Sequence, residues 1–197
     1  RPFGRAVVLQ FHVRARDFEM RRDVEGVVAR VDGGGRKTKA VVFSQFVTFI
    51  DIAQKSVEAA GFKCVRLSGG VSAANREKRI DEFQSADQDS PDVIFVSLKA
   101  GGVGINLTAA DTVIHYDPWW NPAVEAQATG RAHRMGQQNP VFVYKLVCAG
   151  TVEERILDLQ ARKADLAASI LEGGAEHKSD GPLFDEEDLA LLFAPVV

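Results

Sequence analysis

The sequence predicts an α/β fold in which a parallel β-sheet is flanked by helices. Short apolar runs rich in β-branched residues recur along the chain, and most are followed by segments with apolar residues at helical spacing. Turns rich in Gly, Pro, Asn and Asp separate them. Strands that alternate with helices in this way pair in parallel. With 197 residues, of which 46% are hydrophobic and 26% charged, the chain has the composition of one globular domain.

Residues 1–36 carry mixed patterns. The stretch AVVLQFHV alternates weakly like a strand, DFEMRRDVEGVVARV has helical spacing, and GGG then interrupts the pattern. We therefore treat residues 1–36 as an N-terminal extension of uncertain structure.

From residue 37 the patterns become regular, and they define one lobe that extends to residue 173. AVVF predicts a buried strand, and FVTFIDIAQKSVEAA predicts a helix that ends at Gly61. KCVRL, from Lys63 to Leu67, repeats the strand pattern, and Ser72 is the predicted N-cap of the helix AANREKRIDEFQ. The strands DVIFVSL and DTVIHY, a helix from about Ala123 and the strand PVFVYKLV continue the alternation.

The C-terminal part is predicted to be helical with one interruption. Thr151 and Glu154 form a predicted capping box in front of a long amphipathic helix, TVEERILDLQARKADLAASIL. Residues 174–197 are predicted to be a flexible linker, EGGAEHKSDGP, followed by a short helix, FDEEDLALLFAP, with an exposed leucine and phenylalanine face.

Composition narrows the function classes. No apolar run approaches the roughly 20 residues that cross a bilayer, so we expect no membrane partner. Cys64 and Cys148 lie far apart without a CxxC pattern, which predicts buried free thiols in a reducing compartment and no metal site. The net charge of −3 means that any contact with a polyanion must be local.

Two arginines in VEAQATGRAHRMGQ, residues 124–137, are the strongest candidates for chemistry. Arg131 and Arg134 are three residues apart, so helical geometry would place both on one face. Guanidinium groups suit phosphate oxygens and can act as arginine fingers, but a solvated basic face is the alternative. The same segment carries further polar side chains that need partners: Gln127, His133 and Gln137.

A glycine-rich loop, SLKAGGVGINL, follows a predicted strand at the edge where open α/β sheets bind ligands. Its glycines suit a close approach of the backbone to a phosphate, but a plain tight turn is the alternative. Leu107 occupies the third glycine position of a dinucleotide fingerprint, and GGGRKT does not satisfy the Walker A pattern. No acidic strand end is a candidate for holding Mg²⁺, so the sequence predicts an incomplete nucleotide site.

The turn DPWWNP places Trp119 and Trp120 side by side. One indole could pack inward while the other contacts a partner lobe or stacks on a base, because rigid amphipathic rings are favoured at interfaces. Packing of both rings in the core is the alternative.

Five segments, VVFSQF, LSGG, SLKAGGVGINL, HYDPWWNP and EAQATGRAHRMGQ, resemble in order and spacing helicase motifs IV, IVa, V, Va and VI of the Swi/Snf-type ATPases. The resemblance covers about residues 39–173, and the helix after Thr151 is similar to the family's brace helix. The wording LTAADTVIHYDPWWNPAVEAQAT resembles bacterial members most, including those related to the RNA-polymerase-associated type, and eukaryotic repair translocases are similar in pattern. The resemblance implies a RecA-like C-terminal lobe of a DNA-dependent ATPase.

The resemblance also implies roles for individual residues. Arg131 and Arg134 match the motif VI arginines that reach ATP held by the first lobe, and Arg134 is the first choice as arginine finger. The tryptophans, Trp119 and Trp120, would couple ATP-driven closure to DNA movement. The remaining implied contacts are with ATP for Gly102, Gly104, Asn106 and Gln127, and with DNA for Ser44, Gln45, Ser68 and Lys99. One departure is Gly130, where many relatives carry Asp.

The resemblance implies the second lobe of a double-stranded DNA translocase, in which ATP and Mg²⁺ are held mainly by a separate N-terminal lobe. The fragment alone is then expected to be inactive. Expected partners are duplex DNA, the cognate N-terminal lobe, and RNA polymerase or chromatin proteins. The expected location is the bacterial cytoplasm and nucleoid, or the nucleus in a eukaryote. A non-catalytic protein-docking module is the alternative, and a flavodoxin-like nucleotide-binding enzyme fits the sheet but not the ordered motifs.

Overall fold

A computed structural model describes residues 6–14, 38–98, 104–137 and 139–173, and side chains within 38–162 of these ranges. Six strands form one sheet in the order β1-β6-β5-β2-β4-β3, and every neighbouring pair is parallel. The strands are β1 Ala6–Arg14, β2 Ala40–Ser44, β3 Cys64–Leu67, β4 Val93–Ser97, β5 Thr112–His115 and β6 Val141–Ala149. The helices are α1 Val47–Ala59, α2 Ala73–Gln84, α3 Pro122–Thr129 and α4 Val152–Gly173.

The central strands β2, β4 and β5 are buried along their whole length. Helices cover both faces of the sheet, which is why these strands read as continuous apolar runs rather than alternating ones. On one face Phe43 and Val96 pack with Phe83 of α2 and Ala128 of α3. On the other face the β-strand side chains pack against α1. The α/β, RecA-like fold class with a C-terminal helix is confirmed.

The predicted helix ends are largely as expected. The Ser72 hydroxyl accepts the N–H of Asn75 at 3.4 Å and caps α2. Gly61 has a φ of +95° just after α1, a conformation that favours glycine. At the start of α4 the Thr151 hydroxyl accepts the N–H of Glu153 at 3.2 Å. The Glu154 carboxylate accepts the N–H of Gly150 at 2.9 Å, one residue earlier than in a standard capping box.

The first strand, β1, lies within residues 1–36, the segment with mixed sequence patterns. β1 pairs with β6 from Ala6 opposite Val141 to Arg14 opposite Ala149. The helical prediction for DFEMRRDVEGVVARV and the predicted linker and short helix at 174–197 lie outside the described residues. The division of the chain at residues 36 and 173 therefore stays a prediction, with β1 contributing to the same sheet as the lobe.

Cys64 and Cys148 are free, as predicted, but both are partly rather than fully buried. Burial raises the pKa of the Cys64 thiol to about 12, with Glu58 and Asp92 adding to the effect. Within the described ranges no three His, Cys, Asp or Glu side chains are grouped closely enough to hold a metal ion. None of the described helices is long and apolar enough to span a bilayer.

His115 is a buried polar group in the centre of the sheet. Its exposed fraction is 1%, its ring stacks on Phe43 with 5.7 Å between centroids, and its Nε2 lies 2.9 Å from the Thr129 hydroxyl. Burial lowers the pKa of His115 to about 4, because a charged imidazole would lose its hydration there.

We predict that His115→Phe makes the free energy of unfolding less dependent on pH. The pKa of His115 is lower in the folded than in the unfolded chain, so stability is fully present above about pH 6.5 and is lost as the pH falls towards 4. A depression of this size corresponds to about 3 kcal/mol across that window. Urea unfolding of wild type and variant at pH 7.5, 5.5 and 4.5 measures the difference.

Thr129→Val is the matched control. It removes the hydroxyl that contacts His115 but keeps the titrating ring, so it should lower stability at every pH and leave the pH dependence in place. An equal pH dependence for wild type and His115→Phe would contradict the assignment of this effect to His115.

Candidate functional site

The carboxyl ends of β2, β4 and β5 meet at one edge of the sheet. Ser44 pairs with Ser97, and Phe43 pairs with His115, so the loops that follow these strands start side by side. The N–H of Leu98 donates to the carbonyl of Ser44 at 2.9 Å and continues the pairing beyond the strand ends. This edge is where ligands bind in open parallel sheets.

Asp117 organises the loop after β2. It is 5% exposed, and its Oδ2 accepts the backbone N–H of Gln45 at 3.0 Å. Burial raises the pKa of Asp117, while hydrogen bonding from Ser44 and Gln45 acts in the opposite direction. A carboxyl group buried at this edge fixes the direction in which the chain leaves β2.

The predicted DNA contacts differ in accessibility. Ser44 is 1% exposed, and its hydroxyl accepts the N–H of Phe46 at 3.0 Å. Gln45 and Ser68 are partly buried. Lys99 lies outside the described residues. Ser44 is thus engaged in the local turn, whereas Gln45 and Ser68 retain surface that a ligand could reach.

Two buried side chains anchor the described part of the glycine-rich loop in the core. Ile105 and Leu107 are buried, and Asn106 between them is exposed. Gly104 is exposed with a φ of +26°. The N–H of Leu107 donates to the carbonyl of Arg131 at 2.9 Å, so this loop is joined directly to the arginine segment. Gly102 lies outside the described residues.

The arginine segment is a series of turns, and the expectation that helical geometry places both guanidinium groups on one face is wrong. α3 ends at Thr129. Beyond it the N–H of His133 donates to the carbonyl of Thr129 at 2.9 Å, and that of Arg134 donates to Ala132 at 3.1 Å. We call residues 130–137 the arginine loop. The tertiary contacts of this loop, rather than a continuing helix, set the relative position of the two arginines.

The two arginines differ in environment. Arg131 is partly buried, and its Nε is buried without a hydrogen-bond partner among the described residues. Arg134 is exposed. A buried guanidinium nitrogen that makes no hydrogen bond has lost its hydration without compensation, which costs free energy.

Gln137 has a structural part that sequence reasoning missed. It is 7% exposed, and its Nε2 donates to the carbonyls of Thr108 at 3.0 Å and Ala110 at 2.7 Å. From α2, the Gln84 side chain accepts the N–H of Ala109 at 2.7 Å. Gln137 thus holds the arginine loop against residues 108–110, the turn that directly follows the glycine-rich loop, and Gln84 holds the same turn against α2. Gln127, in contrast, is exposed on α3.

We call residues 117–122, DPWWNP, the tryptophan turn, and this turn contacts α4. Trp120 packs against Ile156 and Leu159, which agrees with the expectation that one indole faces inward. Trp119 is partly buried, and its backbone N–H donates to Glu125 Oε1 at 2.7 Å. Its carbonyl accepts Gln160 Nε2 from α4.

Glu125 is a second residue that sequence reasoning missed. Its side chain is 3% exposed and forms an ion pair with Lys145 of β6, with 2.6 Å between Oε2 and Nζ. The available signal was an acidic residue in the first turn of a short, otherwise apolar helix, but nothing local reveals its partners.

Comparison with known proteins agrees with this architecture. Residues 26–136 match the model of the family "Helicase conserved C-terminal domain". The chain is 44% identical over 142 residues to the DNA repair protein RAD5 of Cryptococcus neoformans, covering 72% of this chain and 12% of that protein. It is 45% identical over 133 residues to an uncharacterized ATP-dependent helicase of Mycoplasma pneumoniae, covering 68% and 13%.

A solved structure, the C-terminal part of the Fun30 ATPase domain, superposes with a TM-score of 0.65 at 31% identity and covers 75% of this chain and 48% of that one. The chain belongs to the helicase conserved C-terminal domain family, of the Swi/Snf and Rad5 type. It spans roughly an eighth of the length of these two curated relatives, one eukaryotic and one bacterial.

We predict that Gly130→Ala stabilises the chain. Gly130 has a helical φ of −63°, and an added Cβ would lie 3.4 Å from the carbonyl oxygens of Ala126 and Gln127, which is an ordinary contact. Restricting the unfolded chain should raise the free energy of unfolding by about 0.5–1 kcal/mol. The measurement is urea unfolding followed by circular dichroism.

Gly136→Ala is the matched variant on the same loop. Gly136 has a φ of +102°, a conformation that strains any residue with a Cβ, so this change should destabilise the chain by about 1–2 kcal/mol. Equal effects of the two substitutions would show that backbone conformation is not what distinguishes these glycines.

Proposed function

We propose that this chain is the second lobe of an ATP-driven translocase that tracks along double-stranded DNA, and that it supplies arginine fingers to a nucleotide held by an N-terminal lobe. The observation that supports this most is the arginine loop. It carries both an exposed Arg134 and a partly buried Arg131, whose Nε is buried without a partner among the described residues. The backbone of Arg131 is also bonded to Leu107 of the glycine-rich loop.

The arginine loop fits a polyphosphate. Fixed guanidinium groups stabilise charge on a transferring phosphoryl group without reorganising at the moment of reaction. Bound ATP would supply that phosphoryl group, and Arg131 and Arg134 would hold its oxygens. Gly104, Asn106 and Gln127 are exposed and available for neighbouring contacts, with Gly102 proposed on the resemblance alone. The donor set of this lobe suits phosphate rather than Mg²⁺, so we assign the metal to the N-terminal lobe.

DNA contacts are proposed for the loops at the carboxyl edge. Gln45, Ser68 and Lys99 are assigned to phosphates of the tracked strand, and Ser44 to positioning Gln45 through the local turn. The contacts between the tryptophan turn and α4 support a coupling role for Trp119 and Trp120, since movement of either element would displace the other.

The proposed partners are duplex DNA and the cognate N-terminal lobe, with RNA polymerase or chromatin proteins as further partners of the whole protein. The proposed location follows from DNA as substrate: the bacterial cytoplasm and nucleoid, or the nucleus in a eukaryote. One of the relatives named above is a DNA repair protein and the other is an ATP-dependent helicase, and we extend these two descriptions to the whole protein.

A protein-docking module is the second candidate. Large apolar side chains are exposed near the start of α1, including Phe46 at 45% and Ile52 at 55%. Exposed apolar surface of this kind favours contact with another protein. The two candidates differ in what Arg134 does, because docking through α1 does not need the arginine.

We predict that DNA-stimulated ATP hydrolysis appears only when this chain is mixed with its N-terminal lobe, and that Arg134→Ala lowers kcat of the mixture about a thousandfold, the scale of an arginine finger. Arg162→Ala, an exposed arginine on α4, is the control and should leave hydrolysis unchanged. Hydrolysis by the chain alone at the rate of the mixture would contradict a finger supplied to another lobe, and full activity of Arg134→Ala would remove that residue from the site.

We predict weak DNA binding that falls as salt rises. If two or three phosphates are contacted, the logarithm of the binding constant should fall with a slope of about −2 to −3 against log salt. Lys99→Ala should reduce the slope by about one. Lys63→Ala is the control, because Lys63 precedes β3 at the opposite edge and pairs with Asp89 at 2.6 Å. Binding that does not change with salt would exclude backbone tracking.

A further inference from the structure

Four elements converge on one buried carboxylate. Glu125 lies in the first turn of α3, and its side chain is 3% exposed. It accepts the N–H of Trp119 at 2.7 Å and the Nε2 of Gln160 at 3.1 Å, and it forms the ion pair with Lys145 at 2.6 Å. The tryptophan turn, α4, β6 and α3 are thereby held together, and we call these four residues the Glu125 junction.

A buried charge of this kind is expensive to maintain. Removing a carboxylate from water costs several kcal/mol, which is recovered only when the geometry of its partners is good. Two hydrogen bonds to Oε1, from Trp119 and Gln160, and the ion pair of Oε2 with Lys145 offset this cost here. The negative charge at the start of α3 is also favourable for the helix dipole. If residue 125 served only to fill space, an apolar side chain would serve equally well there.

α3 transmits the position of this junction to the arginine loop. The helix has eight residues, from Pro122 to Thr129, so Glu125 stands about one turn before its end. Thr129 at that end is held to His115 by the 2.9 Å contact with the imidazole. Arg131 lies two residues after Thr129, and its N–H donates to the carbonyl of Ala128 at 3.0 Å. A shift of α3 at Glu125 therefore displaces the arginine loop.

We propose that Glu125 is a positioning residue, which ties α4 and the tryptophan turn to α3 and so sets the position of the loop that carries Arg131 and Arg134. The catalytic consequence rests on the proposed function, whereas the mechanical coupling is a property of this chain by itself. The two parts are therefore tested by separate measurements.

The first measurement is amide hydrogen exchange of the 197-residue chain. Glu125→Gln keeps the size of the side chain and removes the charge that faces Lys145. We expect the amides of Ala132, His133 and Gln137 to exchange at least roughly tenfold faster, and those of Arg76 and Ser85 in and after α2 to change by less than about twofold. Unchanged exchange in the arginine loop, or equal acceleration throughout the chain, overturns the proposal.

Tryptophan fluorescence gives a second readout. The chain has two tryptophans, Trp119 and Trp120, and both belong to the tryptophan turn that the junction holds. We expect a red shift of the emission maximum in Glu125→Gln as the turn loosens. Glu154→Gln is the matched control, since its carboxylate accepts the backbone N–H of Gly150 at the exposed start of α4. An equal shift in both variants counts against a special role for Glu125.

If Glu125→Gln does not fold, Gln160→Leu replaces it. Gln160 reaches the junction from α4 and donates to both Glu125 and Trp119. Leucine has a side chain of similar size, so it fills this buried position while removing both hydrogen bonds. The same local acceleration of exchange in the arginine loop is expected, and its absence in a folded Gln160→Leu variant overturns the proposal.

The catalytic consequence is measured in the mixture with the N-terminal lobe. Misplaced arginines weaken the transition state more than ATP binding, so we expect kcat of Glu125→Gln to fall about tenfold or more with KM for ATP unchanged within about twofold. A rise in KM with kcat unchanged overturns the catalytic part. An inactive wild-type mixture would instead refute the proposed function and leave the exchange result to decide the coupling.

Discussion

Ser44 of β2 pairs with Ser97 of β4, Phe43 of β2 pairs with His115 of β5, and all three strands run in the same direction with both faces covered. Because parallel strands have no local turn between them, this register is fixed by the packing of apolar side chains against helices on both sides. Everything at the carboxyl edge depends on it. A slip of one residue in β5 would place His115 on the opposite face and separate α3 from the sheet.

Buried polar side chains then hold the loops at the carboxyl edge of this sheet in the positions that form the candidate site. Asp117 holds the loop after β2, Gln137 holds the arginine loop against residues 108–110, and Glu125 holds the tryptophan turn. Each of these side chains is buried and hydrogen-bonded to a backbone group. Such contacts are costly to leave half made, so they tolerate few alternative arrangements and give the loops defined positions.

The strands and most helix ends could be predicted from local chemistry: β-branched runs for β2 and β4, a serine cap for α2, a left-handed glycine after α1. The arginine loop could not. EAQATGRAHRM contains good helix formers, and the helix stops at Thr129 where the backbone of Arg131 is engaged by Leu107. Glu125 was missed for the same reason, because its partners lie on β6 and α4. Tertiary contacts override helix propensity at the arginine loop, and at Glu125 they determine the partners of a residue whose helix was predicted.

The two edge strands, β3 and β1, lie at very different sequence distances from the strands with which they pair. β3 pairs with β4, which follows it closely, whereas β1 at the other margin pairs with β6, the last of the described strands. A ribosome therefore releases β1 long before it synthesises the strand with which β1 pairs. Closing β1 onto β6 has the large loop-entropy cost that makes late, non-local pairing slow.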